Sequence, residues 1–440
     1  MPEIRSRNII DGTGKPGFAG SIHLSQARIA QVATAETTAG MTAGTPAAGT
    51  TRAGAPAVDL DGYTVMPGLI DAHSHLASVI QPHGSPPQAL AVLAAEIFRN
   101  LDTALDEGFT TVRELSGLDG GAVQAAAKGL IRAPRILPSG PMISQSCGHG
   151  DWRPGFGHGP WQEQWPGLMQ GSVLVDGTSE ALRAARMALR DGATQIKVAI
   201  SGGFSSDCDE LDDVQFTVDE LRAIVGAAHG QHKYVTAHAH HSESVQLGIS
   251  AGVECFEHAT FADAKTLGLV RQRGAAIVAT LWVVKHLQEP AVLAGVRPRL
   301  RDAAQRALSA MTSMVQQAVE LGITVGSGSD MTGPGQSGRG QEIVVRSSVT
   351  DPLEAISAAT GQNAKILRIA DQTGTLAAGL LADFIVLDGD PVKEPEILGD
   401  ADRIRLVVQA GEVSKNTLPE PLANKISRLL AENLQAAPAG

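Results

Sequence analysis

A chain of 440 residues is longer than one hydrophobic core usually serves, so a large enzyme-sized domain with a smaller companion is expected and a small binding module is excluded. With 43% hydrophobic and 18% charged residues the chain can bury a large core, which sets aside intrinsic disorder, and no apolar run reaches the length of a bilayer span. A net charge of −11 without a cluster of Lys and Arg argues against a nucleic-acid partner.

The chain opens MPEIRSRNIIDG, without a charged and then apolar leader, so a cytoplasmic location is expected. Three cysteines, Cys147, Cys208 and Cys255, are widely spaced and read as reduced thiols. From Glu3 to Ala33 short β-type runs alternate with Gly and Pro, the texture of a small sheet. Residues 34–57 are mostly Ala, Gly, Thr and Pro and read as a flexible surface insertion.

Between Tyr63 and Thr373 apolar strand-like runs alternate with helical patterns such as Pro87 to Glu107 and Ser179 to Asp191. The runs are "YTVMPGLID", "TTVREL", "RILPSG", "TQIKVAI", "YVTAHAH", "ECFEHA", "AAIVATL" and "ITVGSGSD". Eight strands alternating with helices predict an α/β fold, a (β/α)8 TIM-type barrel over residues 66–373. Residues 374–440 return to short strands and resemble the opening in texture. The two ends, 1–65 and 374–440, are therefore expected to pair as one small β-sandwich domain, with Leu418 to Leu434 as a terminal helix.

Chemistry gathers at the strand ends, because the 13 histidines are bunched rather than scattered. In "MPGLIDAHSHL", His73 and His75 are two residues apart on an extended strand, so both imidazoles point to one side and can meet one metal ion; Asp71 lies beside them. In "TQIKVAISGG", Lys197 stands inside an apolar run, where an unpaired ammonium is costly and a neutral amine able to react with carbon dioxide is favoured. His238 and His240 share a side in "VTAHAHH", His258 ends "ECFEH", and Asp330 ends "ITVGSGSD" with a hard carboxylate. Packing explains one such residue at a strand end; it does not explain the set, and active sites of parallel barrels sit at these ends.

These motifs resemble the amidohydrolase superfamily, in its binuclear branch with a carboxylated lysine, along nearly the whole chain from "IIDGTG" to "GTLAAGLLADFIVLDGDP". The loop "ISQSCGHGD", the "AHAHH" and "FEHAT" pair and "DPLEAISAATGQNAKIL" are similar to the Xaa-Pro dipeptidase and ochratoxinase-like group. The resemblance implies two Zn2+ ions, one held by His73, His75 and Asp330 and the other by His238 and His258, bridged by N6-carboxylated Lys197. It also implies that His149 faces the substrate carbonyl and hydrogen-bonds the developing oxyanion, with Asp330 shuttling the proton and His240 in the pocket. One departure is "MTGPGQSGRG" after Asp330, where relatives often carry a Pro-His-Gly type stretch, which leaves the contacts of that loop open.

Trp152, Trp161 and Trp165 fall with Phe156, His149 and His158 in one Gly- and Pro-rich loop suited to covering an apolar group, and Arg153 there is a candidate for a substrate carboxylate. The expected activity is a metal-dependent amidohydrolase cleaving the amide before a C-terminal hydrophobic amino acid, ochratoxin A being the specific candidate. The alternatives are an Xaa-Pro dipeptidase or a cyclic-amide hydrolase of the same superfamily, and, from another class, a non-catalytic scaffold, against which every ligand position is filled. The resemblance further implies a small-molecule amide or dipeptide substrate and a homo-oligomer of up to eight copies, while the lack of a long apolar run gives no reason to expect a membrane partner.

Overall fold

The computed structural model describes residues 1–35, 56–79, 89–153, 164–165, 167–206 and 208–436. Most of the 34–57 insertion lies outside them, as do Phe156, His158 and Trp161. Contacts divide the chain into two compact units: 1–70 with 104–111 and 346–440, and 71–103 with 112–345.

The first unit is built on an eight-stranded sheet whose strands come from both ends of the chain. Phe384–Leu387 pairs antiparallel with Thr64–Pro67, in the register Phe384↔Pro67 and Leu387↔Thr64. Its core is aliphatic, with Ile4, Ile22, Leu24, Val65, Phe384 and Leu406 fully buried, and the terminal helix Leu422–Gln435 adds Ile426, Leu429 and Leu430.

All eight strands expected between Tyr63 and Thr373 form, at Leu69–Ser74, Phe109–Glu114, Arg135–Pro138, Ile196–Ala199, Val235–His241, Cys255–Phe261, Ala276–Ala279 and Val325–Ser327. The first three make one sheet. The last five continue, strand beside strand and all parallel, in a second sheet that begins with Ser172–Leu174 and Met142–Ser144. This is the strand order of a TIM-type barrel with a further domain, and buried residues run unbroken along the strands because both faces of such a sheet are covered.

The helices between strands follow their apolar periodicity. Thr178–Arg190 buries Ala181, Ala184, Ala185, Ala188 and Leu189, a stripe at helical spacing, and leaves its arginines outside. Val218–His229 starts at a capping box in which the Thr217 side chain and Glu220 satisfy each other's backbone N–H groups. Leu90–Asp106 forms within the expected Pro87 to Glu107 stretch.

Candidate metal centre

The parallel register brings the strand ends into one place. Lys197 stands opposite Thr236, and Ala239 opposite His258, so the side chains of adjacent strands converge at the same level. Strand alternation alone would send Glu257 and His258 to opposite faces. His258 escapes that rule with φ of 70°, Ala259 follows at 47°, and Asp330 leaves its strand at 51°. Left-handed backbone at such residues costs of order 1–3 kcal/mol and is held only by well-determined surroundings. Here it aims both His258 and Asp330 at the same point as the His73–His75 pair. Gly328 permits the approach, since a Cβ there would lie 2.3 Å from the Cβ of His73.

His73 Nε2 lies 3.1 Å from His75 Nε2, and Asp330 Oδ1 lies 3.3 Å from the first and 3.2 Å from the second. His238, His240 and His258 offer a second group of three nitrogens within 4.8 Å of one another, and His73, His258 and Asp330 form an overlapping one. Donor atoms bound to one tetrahedral zinc at about 2.0–2.2 Å stand roughly 3.3–3.6 Å apart, close to the spacing at His73, His75 and Asp330. Both groups are made of the nitrogen and oxygen donors that zinc takes, and the residues therefore fit a metal centre.

Protonation agrees with that fit. Burial holds the imidazoles of His238 and His258 well below their ordinary value and those of His149 and His240 down at about 3, so each keeps a lone pair. Burial opposes charge on His73 as well, but Asp330 and Glu257 beside it raise its pKa. A proton on His73 Nε2 and a metal cation are alternatives for the same position facing Asp330. Burial would raise Asp330, yet the surrounding imidazoles of His73, His75 and His258 hold its carboxyl well below the usual range. Burial pushes the Lys197 amine down to about 8, against the pull of Glu257 and Asp330.

Beneath the cluster lies a fully buried ionic network that the reading of the histidine motifs passed over. His73 Nδ1 donates to Glu257 Oε2 at 2.7 Å, and Arg113 Nη2 donates to Glu257 Oε1 at 2.6 Å. Arg113 also donates to the Ala72 carbonyl at 2.5 Å and to Tyr234 Oη at 3.3 Å, and Thr236 Oγ1 donates to Glu257. Burial disfavours the charge of Glu257, but Arg113 and His73 outweigh it and hold the carboxyl well below the usual range. Asp71 ties two strand ends together: it accepts from the backbone of His73 and Ser329, at 3.1 and 3.0 Å, and from Arg339 at 3.1 Å.

The cluster forms the floor of a cavity of about 420 Å³ lined by His73, His75, Lys197, His238, His240, His258 and Asp330 together with His149 and Trp152. All the expected metal-binding side chains thus meet in one place. Apolar lining comes from Met142, Phe204, Val283, Val284 and Leu287, which no motif singled out. His240 is held by Thr260 Oγ1 at 2.9 Å from its Nδ1. Arg153 does not line the cavity; its guanidinium grips both oxygens of Asp151, at 2.6 and 2.5 Å. Trp165 belongs to a two-residue strand paired with Met169–Gln170.

Residues 64–414 match the Amidohydrolase family. The chain is also 30% identical over 380 residues to the ochratoxinase of Aspergillus niger, covering 80% of this chain and 75% of that protein. This chain belongs to the amidohydrolase family. Among solved structures this amidohydrolase superimposes on a prolidase complexed with N-methylphosphonate-L-proline, with TM-score 0.82, 30% identity and 94% and 99% of the two chains covered. It superimposes on the A. niger ochratoxinase with TM-score 0.81, 26% identity and 96% and 97% covered. No helix among the described residues is long and apolar enough to cross a membrane.

Proposed function

We propose that this amidohydrolase hydrolyses the amide bond before a C-terminal hydrophobic amino acid, with ochratoxin A, an N-acyl phenylalanine, as the specific candidate. The observation that carries this reading is the juxtaposition in one cavity of a His and Asp donor cluster with an apolar wall of Phe204, Val283, Val284 and Leu287. The kinship to ochratoxinase and to a prolidase supports the same bond type.

His73, His75 and Asp330 would hold one zinc ion, and His238 and His258 a second. Lys197, with its amine lowered to about 8, would react as the neutral base with carbon dioxide, release a proton and bridge the two as a carbamate. Bound zinc would polarise the scissile carbonyl and lower the pKa of the attacking water. Asp330 then takes a proton from that water and returns it to the leaving nitrogen, which departs as an amine only when protonated. His149 and His240 meet the substrate around the reacting carbonyl, and the apolar wall with Trp152 receives the side chain of the released amino acid.

The test is release of free amino acid from ochratoxin A, acyl-phenylalanine, acyl-leucine and Xaa-Pro substrates, with and without a chelator. Chelator-sensitive release of phenylalanine from the toxin supports the proposal. Release from Xaa-Pro dipeptides alone favours the second reading, a dipeptidase, which the likeness to a prolidase supports. No release from any of them by zinc-loaded protein refutes both.

A further inference from the structure

Two donors of the cluster lie beyond the strands that lead to them. His73 sits within Leu69–Ser74 and Glu257 accepts from its Nδ1, whereas His75 follows that strand and Asp330 follows Val325–Ser327, where strand pairing no longer fixes the backbone. One buried side chain reaches both places. Arg339 Nη1 donates to Ser74 Oγ at 3.2 Å and to Ser329 Oγ at 2.9 Å, gripping the residues immediately before His75 and Asp330, and to Asp71 Oδ2 at 3.1 Å. Its Nη2 donates to Gln336 Oε1 at 2.6 Å. A guanidinium only donates, so the amide of Gln336 has one sense: its Nε2 faces away from Arg339 and donates to the carbonyls of His75, at 2.9 Å, and Gly333, at 3.2 Å. The backbone N–H of Gln336 donates to Asn100 Oδ1 at 3.2 Å, and Asn100 Nδ2 donates to the Leu76 carbonyl at 3.1 Å. Arg339, Gln336 and Asn100 are all buried.

This clasp comes from "MTGPGQSGRG", the stretch whose contacts the family resemblance leaves open. Gly335 and Gly338 take φ of 67° and 91°, and the reversal turns Gln336 and Arg339 inward together. The Gly333 N–H donates to the Ser78 carbonyl at 2.5 Å, which lays the stretch along the backbone that follows His75 and brings Thr332 and Gly333 to the cavity wall. We propose that Arg339, acting through Gln336, is a positioning residue that fixes the backbone of His75 relative to Asp330. It thereby holds His75 Nε2 at 3.2 Å from Asp330 Oδ1 before an ion is bound. The proposal rests on the reading above in one respect only, that His75 and Asp330 share one of two zinc ions.

Gln336→Met keeps the length of the side chain, leaves Arg339 paired with Asp71 and removes the link to His75. In chelator competition one of the two zinc equivalents should be held about tenfold or more weakly, the size of effect seen when a partner that orients a metal ligand is lost, and the other should stay within about threefold of the wild type. Met311→Ala opens a cavity in the buried face of helix Arg301–Glu320, away from the clasp, and should lower stability while leaving both equivalents unchanged, which separates positioning from a general loss of stability. Arg339→Lys keeps the charge, but one ammonium does not reproduce the fork across Ser74, Ser329 and Gln336. It should weaken the same equivalent, and by less in the Gln336→Met background than in the wild type, because the two residues act in series. In metal-free protein, hydrogen exchange of the 331–340 peptide should quicken about tenfold in Gln336→Met and stay unchanged in Met311→Ala. Both zinc equivalents held by Gln336→Met as tightly as by the wild type overturn the proposal, and so does equal exchange of that peptide. A wild-type protein that binds no zinc refutes the metal reading above, and the exchange comparison, which needs no metal, then decides the clasp by itself.

Discussion

Glu257→Gln is the sharpest probe of how the site is built. The replacement keeps the volume and removes one charge from a position where Glu257 and Arg113 are both fully buried. Opposite charges about 4 Å apart at an effective dielectric near 20 attract by about 4 kcal/mol. The variant also loses the charge-assisted bonds from His73 and Arg113, which stand at 2.7 and 2.6 Å. Stranding a buried guanidinium in this way costs about 3–5 kcal/mol of stability, measured as a lower urea midpoint in chelator. Zinc affinity, measured separately by chelator competition, should fall tenfold to a hundredfold, because a ligating His keeps its tautomer and orientation through the acceptor on its other nitrogen. Replacing both partners, Arg113→Met with Glu257→Leu, should recover most of the stability, since no charge is stranded, yet leave zinc affinity low, since Leu offers His73 Nδ1 no acceptor. If Glu257→Gln loses less than about 1 kcal/mol and holds zinc as tightly as the wild type, the network neither anchors the barrel interior nor orients His73, and the reasoning fails.

Asp330→Asn should retain some bound metal, because its neighbours His73 and His75 remain, and lose turnover by about 10²–10⁴ through loss of the proton carrier; equal kcat in the variant would remove Asp330 from that role. Phe204→Ala should raise KM for acyl-phenylalanine substrates with kcat little changed, a loss of uniform binding of about 1–3 kcal/mol; a kcat defect at constant KM would place Phe204 elsewhere in the mechanism. Glu114 is fully buried, and burial raises its carboxyl to about 7 from the ordinary 4.5. The folded state therefore holds that proton more tightly than the unfolded one. The stability it lends is complete below about pH 4.5 and is lost as pH rises through 7, a change of about 3 kcal/mol. Unfolding curves of wild type and Glu114→Gln at pH 4.5 and 8 should differ in pH dependence by that amount, and parallel curves would show that Glu114 is ionised throughout.

Some of this architecture was legible because it follows from residue type and period. The eight strands stand where apolar runs alternate with helical patterns, and the HxH pair, Lys197, His238, His258 and Asp330 meet because strand ends of a parallel barrel converge. Lys197 stood out by one rule, that a charge inside an apolar run needs a partner or must give up its charge. Arg113 and Glu114 in "TTVREL" and Glu257 in "ECFEH" satisfy the same rule, so the interior network had a signal that attention to histidines passed over. Phe204, Val283, Val284 and Leu287 had none, because an apolar residue near a site looks like any other core residue until the chain is folded.

The adjacency of Glu257 and His258 shows where pattern reading stops. On a regular strand only one of two neighbours can face the interior, and the sequence does not say which. The positive φ at His258 and Ala259 lets both serve the site: Glu257 accepts from His73 beneath it, and His258 joins the donor cluster above. The backbone strain and the interior carboxylate are thus two parts of one arrangement. Relaxing the strand to regular alternation would return one of those two side chains to the outer face of the barrel, so the geometry at residues 257–259 decides whether the site has both an oriented His73 and a complete set of metal donors.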